Sequence, residues 1–165
     1  MQKMTRLCSL FGFSTALALG TPGLAADSPT TADVLGQVHE SNQKEIAMGK
    51  MAQKNGKSKQ VTGFGKTLVK DHSAADKKVM ALAKQEKIDL PAPSAAKDDM
   101  PMGPDFDTTF ARSMVEDHKK DIADVTKARD NTTDEKLKKL LTDMLPTLQK
   151  HEDIAQKIVD GTDKK

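Results

Sequence analysis

Between Leu90 and Pro104 the chain carries Pro91, Pro93, Pro101 and Pro104, together with Gly103. Each proline fixes φ and removes a backbone N–H, so no regular element survives there. The flanking segments instead read as continuous helix formers rich in Ala, Lys, Glu, Gln, Asp and Leu. This break therefore splits the chain into two halves, each with one further interruption. In the first half a helix is expected from about Thr31 to Asn55, closed by Gly56. Residues 27–30 read as a short disordered lead. Ser58 is placed to cap a second helix reaching about Lys87. Gly63 and Gly65 weaken that helix by roughly 1 kcal/mol each relative to Ala, and flank Phe64 as if to mark a close helix contact.

In the second half a third helix is expected from about Asp105 to Asp130. A fourth follows Asn131, with Thr132 and Glu135 spaced as a capping box, and reaches about Asp160 before Gly161. Pro146 lies inside it and is expected to bend it; the tail from Thr162 to Lys165 is expected to fray. No alternating β pattern follows the first 26 residues. The expected fold is all-α, a ferritin-like four-helix bundle of two hairpins joined by the Pro-rich connection. About 17 extended residues span up to roughly 55 Å, and a 26-residue helix is about 39 Å long. The connection is thus long enough to cross the bundle, though length alone leaves a local loop equally open.

The N-terminal segment has a different composition. Lys3 and Arg6 precede an apolar run from Leu7 to Leu19, followed by the small residues Gly23-Leu24-Ala25-Ala26. That is the pattern of a secretory signal peptide over residues 1–26, cleaved after Ala25 or Ala26. The run is too short to span a membrane, so residues 27–165 are expected as one domain with a periplasmic location and no transmembrane helix. Cys8, the only cysteine, falls in this segment, so disulfides, thiolate metal sites and cysteine nucleophiles are excluded from the rest.

The charge balance changes likewise. The full chain has 26 Lys and Arg against 24 Asp and Glu, and the excess of two is Lys3 and Arg6. A balanced domain with no Trp, no Tyr and only Phe64, Phe106 and Phe110 offers neither a basic surface nor stacking platforms for nucleic acid.

The chemistry lies in a repeat. LVKDHSAADKKV at 68–79 returns as MVEDHKKDIADV at 114–125, each with an Asp-His pair and a Val seven residues after the His. The four histidines, His39, His72, His118 and His151, fall in four different expected helices. A core-facing helix repeats inward residues at three- and four-residue steps. Such rows place His72 among Phe64, Leu68 and Val79, His118 among Phe110, Met114 and Val125, and His151 among Met144, Leu148 and Ala155. In the first helix the row runs Leu35, Val38, Asn42, Glu45, Gly49, Ala52, with Glu45 inward and His39 to one side.

Inward carboxylate and imidazole groups need partners. Glu45, His72, His118 and His151 would supply them to one another around a transition metal, with Asp76 and Asp121 as further ligands or second acceptors. Neutral imidazole and carboxylate suit Fe, Mn, Zn or Cu. Counting helical rise from the turns at Gly56 and Asn131 leaves Glu45 and His72 about 6 Å apart in height, and His118 and His151 about 10 Å. Asp71 and Asp117, one step off the inward rows, are expected in local ion pairs or in orienting a neighbouring helix. Met100 and Met102, in the Pro-rich connection, offer thioethers of the kind that favour Cu(I).

The competing reading is a non-enzymatic cell-envelope protein whose buried Glu/His cluster only fixes packing and which acts through a protein partner. A hydrolase has little support, since Ser73, beside His72, points to a different helix face.

The segments EIAMGKMAQKNGKSKQVTGFGKTLVKDHSAAD at 45–76, FDTTFARSMVEDH at 106–118 and LPTLQKH at 145–151 resemble the bacterial secreted family known as domain of unknown function 4142, a ferritin-like group. The resemblance extends over about residues 32–159 and matches the family pattern at Glu45, Asp71, His72, His118, Pro146 and His151, but not at His39. It implies a ferritin-like fold and an envelope compartment, and it brings no established reaction. The glutamate-x-x-histidine motifs of true ferritins are absent, and Thr126 stands near a position where such proteins often carry Glu. Both departures argue against ferroxidase chemistry.

Overall fold

The computed structural model describes residues 29–94, 103 and 105–162. The expected signal peptide, the Met100 and Met102 pair and the last three residues lie outside these. Four helices form: α1 Thr31–Asn55, α2 Lys59–Glu86, α3 Phe106–Asn131 and α4 Glu135–Thr162. Among the described residues there is no strand.

The caps explain the boundaries. Thr30, expected in a disordered lead, instead closes α1 with a capping box shared with Asp33. Ser58 caps α2 through a hydrogen bond from the Val61 N–H, and α2 ends with Lys87 in the left-handed region, φ 57°. The expected Thr132–Glu135 box does not form. Asp134 takes its place, its Oδ1 accepting from the Lys136 and Leu137 N–H groups. A carboxylate one residue before the helix reaches two free donors that Thr132 is too far back to reach. Thr132 instead accepts from the Asp134 N–H. Pro146 lies within α4 without ending it.

Hydrogen bonds between the helix ends decide the topology. Asp107, in the first turn of α3, accepts from the Lys57 and Ser58 N–H groups in the α1–α2 turn. At the opposite end Thr31 donates to Asp134 and Lys136 to Glu86. α2 therefore stops at one end of the bundle and α3 starts at the other. The helices run up, down, down, up, so the two ends of the Pro-rich connection lie at opposite ends of the bundle, the connectivity of a four-helix bundle with one long crossover. α1 packs mainly on α2 and α3 on α4, with α2 also against α4 and α1 against α3.

The apolar core is divided. One cluster gathers Val61, Phe64, Phe106, Phe110, Ile158 and their neighbours near the α1–α2 turn. The other gathers Leu35, Val79, Leu82, Leu137, Leu141 and their neighbours at the far end. Between them lies a buried layer of polar side chains: Asn42, Glu45, His72, His118 and His151. Beside this layer α1 and α2 approach to backbone contact. A Cβ on Gly49 would stand 2.7 Å from the Gly65 carbonyl oxygen, and one on Gly65 would stand 2.6 Å from that of Gly49. Gly63 meets nothing within 4 Å, so of the two glycines flanking Phe64 only Gly65 makes the close contact.

Candidate metal centre

His72, His118 and His151 arrive from α2, α3 and α4 with no more than 3% of any of them exposed. Their ring centroids are 5.1–5.8 Å apart, and one ring nitrogen from each lies within 4.8 Å of the other two. The height difference expected for His118 and His151 shrinks because the α3–α4 turn, from Asn131 to Glu135, is longer than a turn at Asn131 alone. Counted from its midpoint, the two stand three residues from level, about 4.5 Å of rise, which side chains absorb.

The outer nitrogens set the tautomers. His118 Nδ1 lies 2.9 Å from the Met114 carbonyl oxygen, which can only accept, so Nδ1 carries the proton. His151 Nε2 donates to Asp71 Oδ2 at 3.2 Å. His72 Nδ1 donates to Asn42 Oδ1 at 3.0 Å. In each neutral ring the other nitrogen is then an unprotonated lone pair. His118 Nε2 and His151 Nδ1 face each other across 3.3 Å, lone pair to lone pair. His72 Nε2 is buried with no hydrogen-bond partner.

A proton between the rings would resolve the repulsion, but burial resists it. Burial pushes the His72 imidazole down to about 3, with smaller contributions from His151 and His118. Burial likewise lowers His118 and His151, in spite of opposing contributions from the Met114 carbonyl and nearby carboxylates in the first case and from Asp71 in the second.

Three inward lone pairs, each ring held from behind by an acceptor, is how proteins prepare imidazole for a metal. Three nitrogens each about 2.0–2.1 Å from one ion stand roughly 3.3–3.6 Å apart. The His118–His151 spacing already matches that, so the residues fit a transition-metal ion.

The carboxylates occupy other places. Glu45 is 1% exposed, and its Oε2 has no hydrogen-bond partner. Burial, then Asp117 and Asp121, raise its carboxyl to about 8, so at neutral pH it keeps its proton. It is not within the close three-nitrogen group. The structure does not bring Asp76 to that group: Asp76 accepts from His39 Nδ1 at 2.7 Å and from Gln43 Nε2 at 2.7 Å. His39, to one side of the inward row, is thus buried and paired. Asp121 accepts from the Ser41 hydroxyl, and Asp117 from Lys44.

The two residues that orient His72 and His151 were not assigned those roles from sequence. Asn42 carried a usable signal, a polar residue in the inward row one turn before Glu45. Asp71 carried none for His151, since the two are 80 positions apart in sequence.

Known proteins bear on this arrangement. No curated protein matches the chain. Among solved structures, the chain is similar to CopM in the Cu(I)-bound form, with TM-score 0.70 and 19% identity over 80% of this chain and 96% of that one. It is also similar to CopM in the Cu(II)-bound form, with TM-score 0.66 and 17% identity over 79% and 96%. For CopM in the apo form the TM-score is 0.69, with 17% identity over 79% and 96%. At these identities the likeness establishes the four-helix fold. Residues 17–158 match the family described as Domain of unknown function (DUF4142), which takes in the histidine triad and all four helices but the last residues of α4, and the chain belongs to that family.

Proposed function

We propose that this protein binds one transition-metal ion in its core and handles it in the periplasm, delivered there by the N-terminal signal segment. His72 Nε2, His118 Nε2 and His151 Nδ1 are the ligand atoms. Glu45, whose unpartnered oxygen lies in the same buried layer, is the fourth donor once it gives up its proton. Asn42, the Met114 carbonyl and Asp71 hold the rings in the ligand tautomer. Asp76 serves His39, and Asp121 stays at the edge of the layer.

The observation that carries this reading is the pair of facing lone pairs at 3.3 Å in a site that resists protonation. A cation between them converts a repulsive contact into two bonds. Imidazole and carboxylate donors suit Fe, Mn, Zn and Cu. The likeness to CopM, whose structures include copper- and silver-bound forms, supports metal handling and brings copper to the fore. Within the helices an ion so enclosed is held rather than displayed, which suits sequestration or transfer in the envelope or under oxidative stress.

The test is metal content of residues 27–165, purified without a His tag from the periplasm, beside a His72→Ala/His118→Ala variant. Near-stoichiometric metal in the first and none in the second is the expected result. Metal in neither, with the variant merely less stable, would make the triad a packing device and turn the search to a protein partner.

A further inference from the structure

Two clefts reach the buried layer from opposite flanks. One, of about 270 Å³, opens between α1 and α3; the other, of about 190 Å³, opens between α2 and α4. Both end on Asn42, His72, Met144 and Leu148. Asn42 and His72 are only 2% and 3% exposed, and each has a polar atom, Nδ2 and Nε2 respectively, with no hydrogen-bond partner.

The clefts differ in charge. The α1/α3 cleft carries Glu40, Asp121 and Asp124 against Lys120 alone. Lys120 is already paired with Asp124, and Asp121 accepts from the neutral Ser41 hydroxyl. The α2/α4 cleft carries Asp71 and Asp143 against Lys78. There Asp71 accepts a hydrogen bond from the neutral His151, and Asp143 is paired with Lys139, so Asp71 and Asp143 stand against Lys78 and Lys139. The α1/α3 cleft is thus larger and has the greater uncompensated negative charge, and it leads to an imidazole whose nitrogen lacks a partner.

We propose that metal cations reach the histidine triad through the α1/α3 cleft, drawn in by Glu40, Asp121 and Asp124 and handed to His72. The proposal rests on the metal-binding reading and adds the route. A cleft lined by one sign of charge between low-dielectric walls concentrates counter-ions and speeds their association, and salt removes the effect.

The experiment is stopped-flow absorbance with Cu(II) alone, comparing wild type, Glu40→Gln/Asp124→Asn, and Asp143→Asn on the other flank. All the substituted residues are at the surface, so folding is little affected. The first variant is expected to load about 3- to 10-fold more slowly at low salt, with stoichiometry unchanged and the difference gone near 1 M salt. Asp143→Asn is expected to load like wild type. Equal rates for all three, or slower loading only in Asp143→Asn, would overturn the route while leaving the triad as a metal site. Failure of wild type to take up Cu(II) would overturn the route together with the metal-binding reading.

Discussion

The site's character comes from how few protons its groups can hold. In the apo protein the three imidazoles are neutral at pH 7, because burial lowers each of them. Glu45 is the reverse case, with burial, Asp117 and Asp121 raising it to about 8. Metal binding by the histidines alone therefore displaces no proton, whereas binding that includes Glu45 displaces nearly one. Calorimetry at pH 7 in buffers of different ionisation enthalpy is expected to show close to one proton released per ion. At pH 9 the release is expected to vanish, since Glu45 is then already ionised. Zero release at pH 7 would leave the histidines as the only ligands. The same raised value makes folding of the apo protein less favourable as pH rises from about 4.5 to about 8. Over that range the unfolded chain gives up the proton that the folded one keeps, so stability is greatest below it and falls through it. Glu45→Gln is expected to flatten that decline in urea titrations.

At the scale of the helices, two glycines a turn's fraction apart do opposite things. Gly65 lets α1 and α2 touch backbone to backbone, and Gln53 Nε2 donates to the carbonyls of both Gly49 and Gly65 across the contact. This close approach lies one turn beyond Glu45 and fixes the spacing of the polar layer. Gly63 faces open space and only costs helix propensity. Gly63→Ala is expected to raise stability by about 0.5–1 kcal/mol. Gly65→Ala, which drives a methyl into backbone on the facing helix, is expected to lower it by about 1–3 kcal/mol. Denaturant midpoints check both, and equal effects of the two would contradict the close packing. The spacing of Gly63 and Gly65 around Phe64 announced a contact. Which glycine makes it depends on the rotation of α2 about its axis. The inward row Val61, Phe64, Leu68 places Gly65 beside that face and Gly63 outside it.

At the scale of the whole molecule, the two hairpins meet in an order that the helices' own patterns do not contain. Asp107 joins the start of α3 to the α1–α2 turn through two backbone N–H groups. Asp107→Ala is expected to cost about 1 kcal/mol in urea unfolding, the worth of charge-assisted bonds at a partly exposed site. No measurable loss would mean that the apolar clusters alone hold the hairpins in register. The chain by itself determined the four helices, the break between Leu90 and Pro104, and the inward rows carrying Glu45, His72, His118 and His151. These follow from local rules of periodicity and of proline and glycine chemistry, which act within a few residues. It also marked Asn42 as polar in an inward row without disclosing its use. Only the tertiary structure decided the up-down-down-up order, the convergence of three histidines apart from Asp76, and the pairing of Asp71 with His151. Each of these turns on contacts between residues far apart in sequence, where a shift of one helical step exchanges one partner for another. A pattern along a single helix fixes which face is buried, but not what waits on the other side.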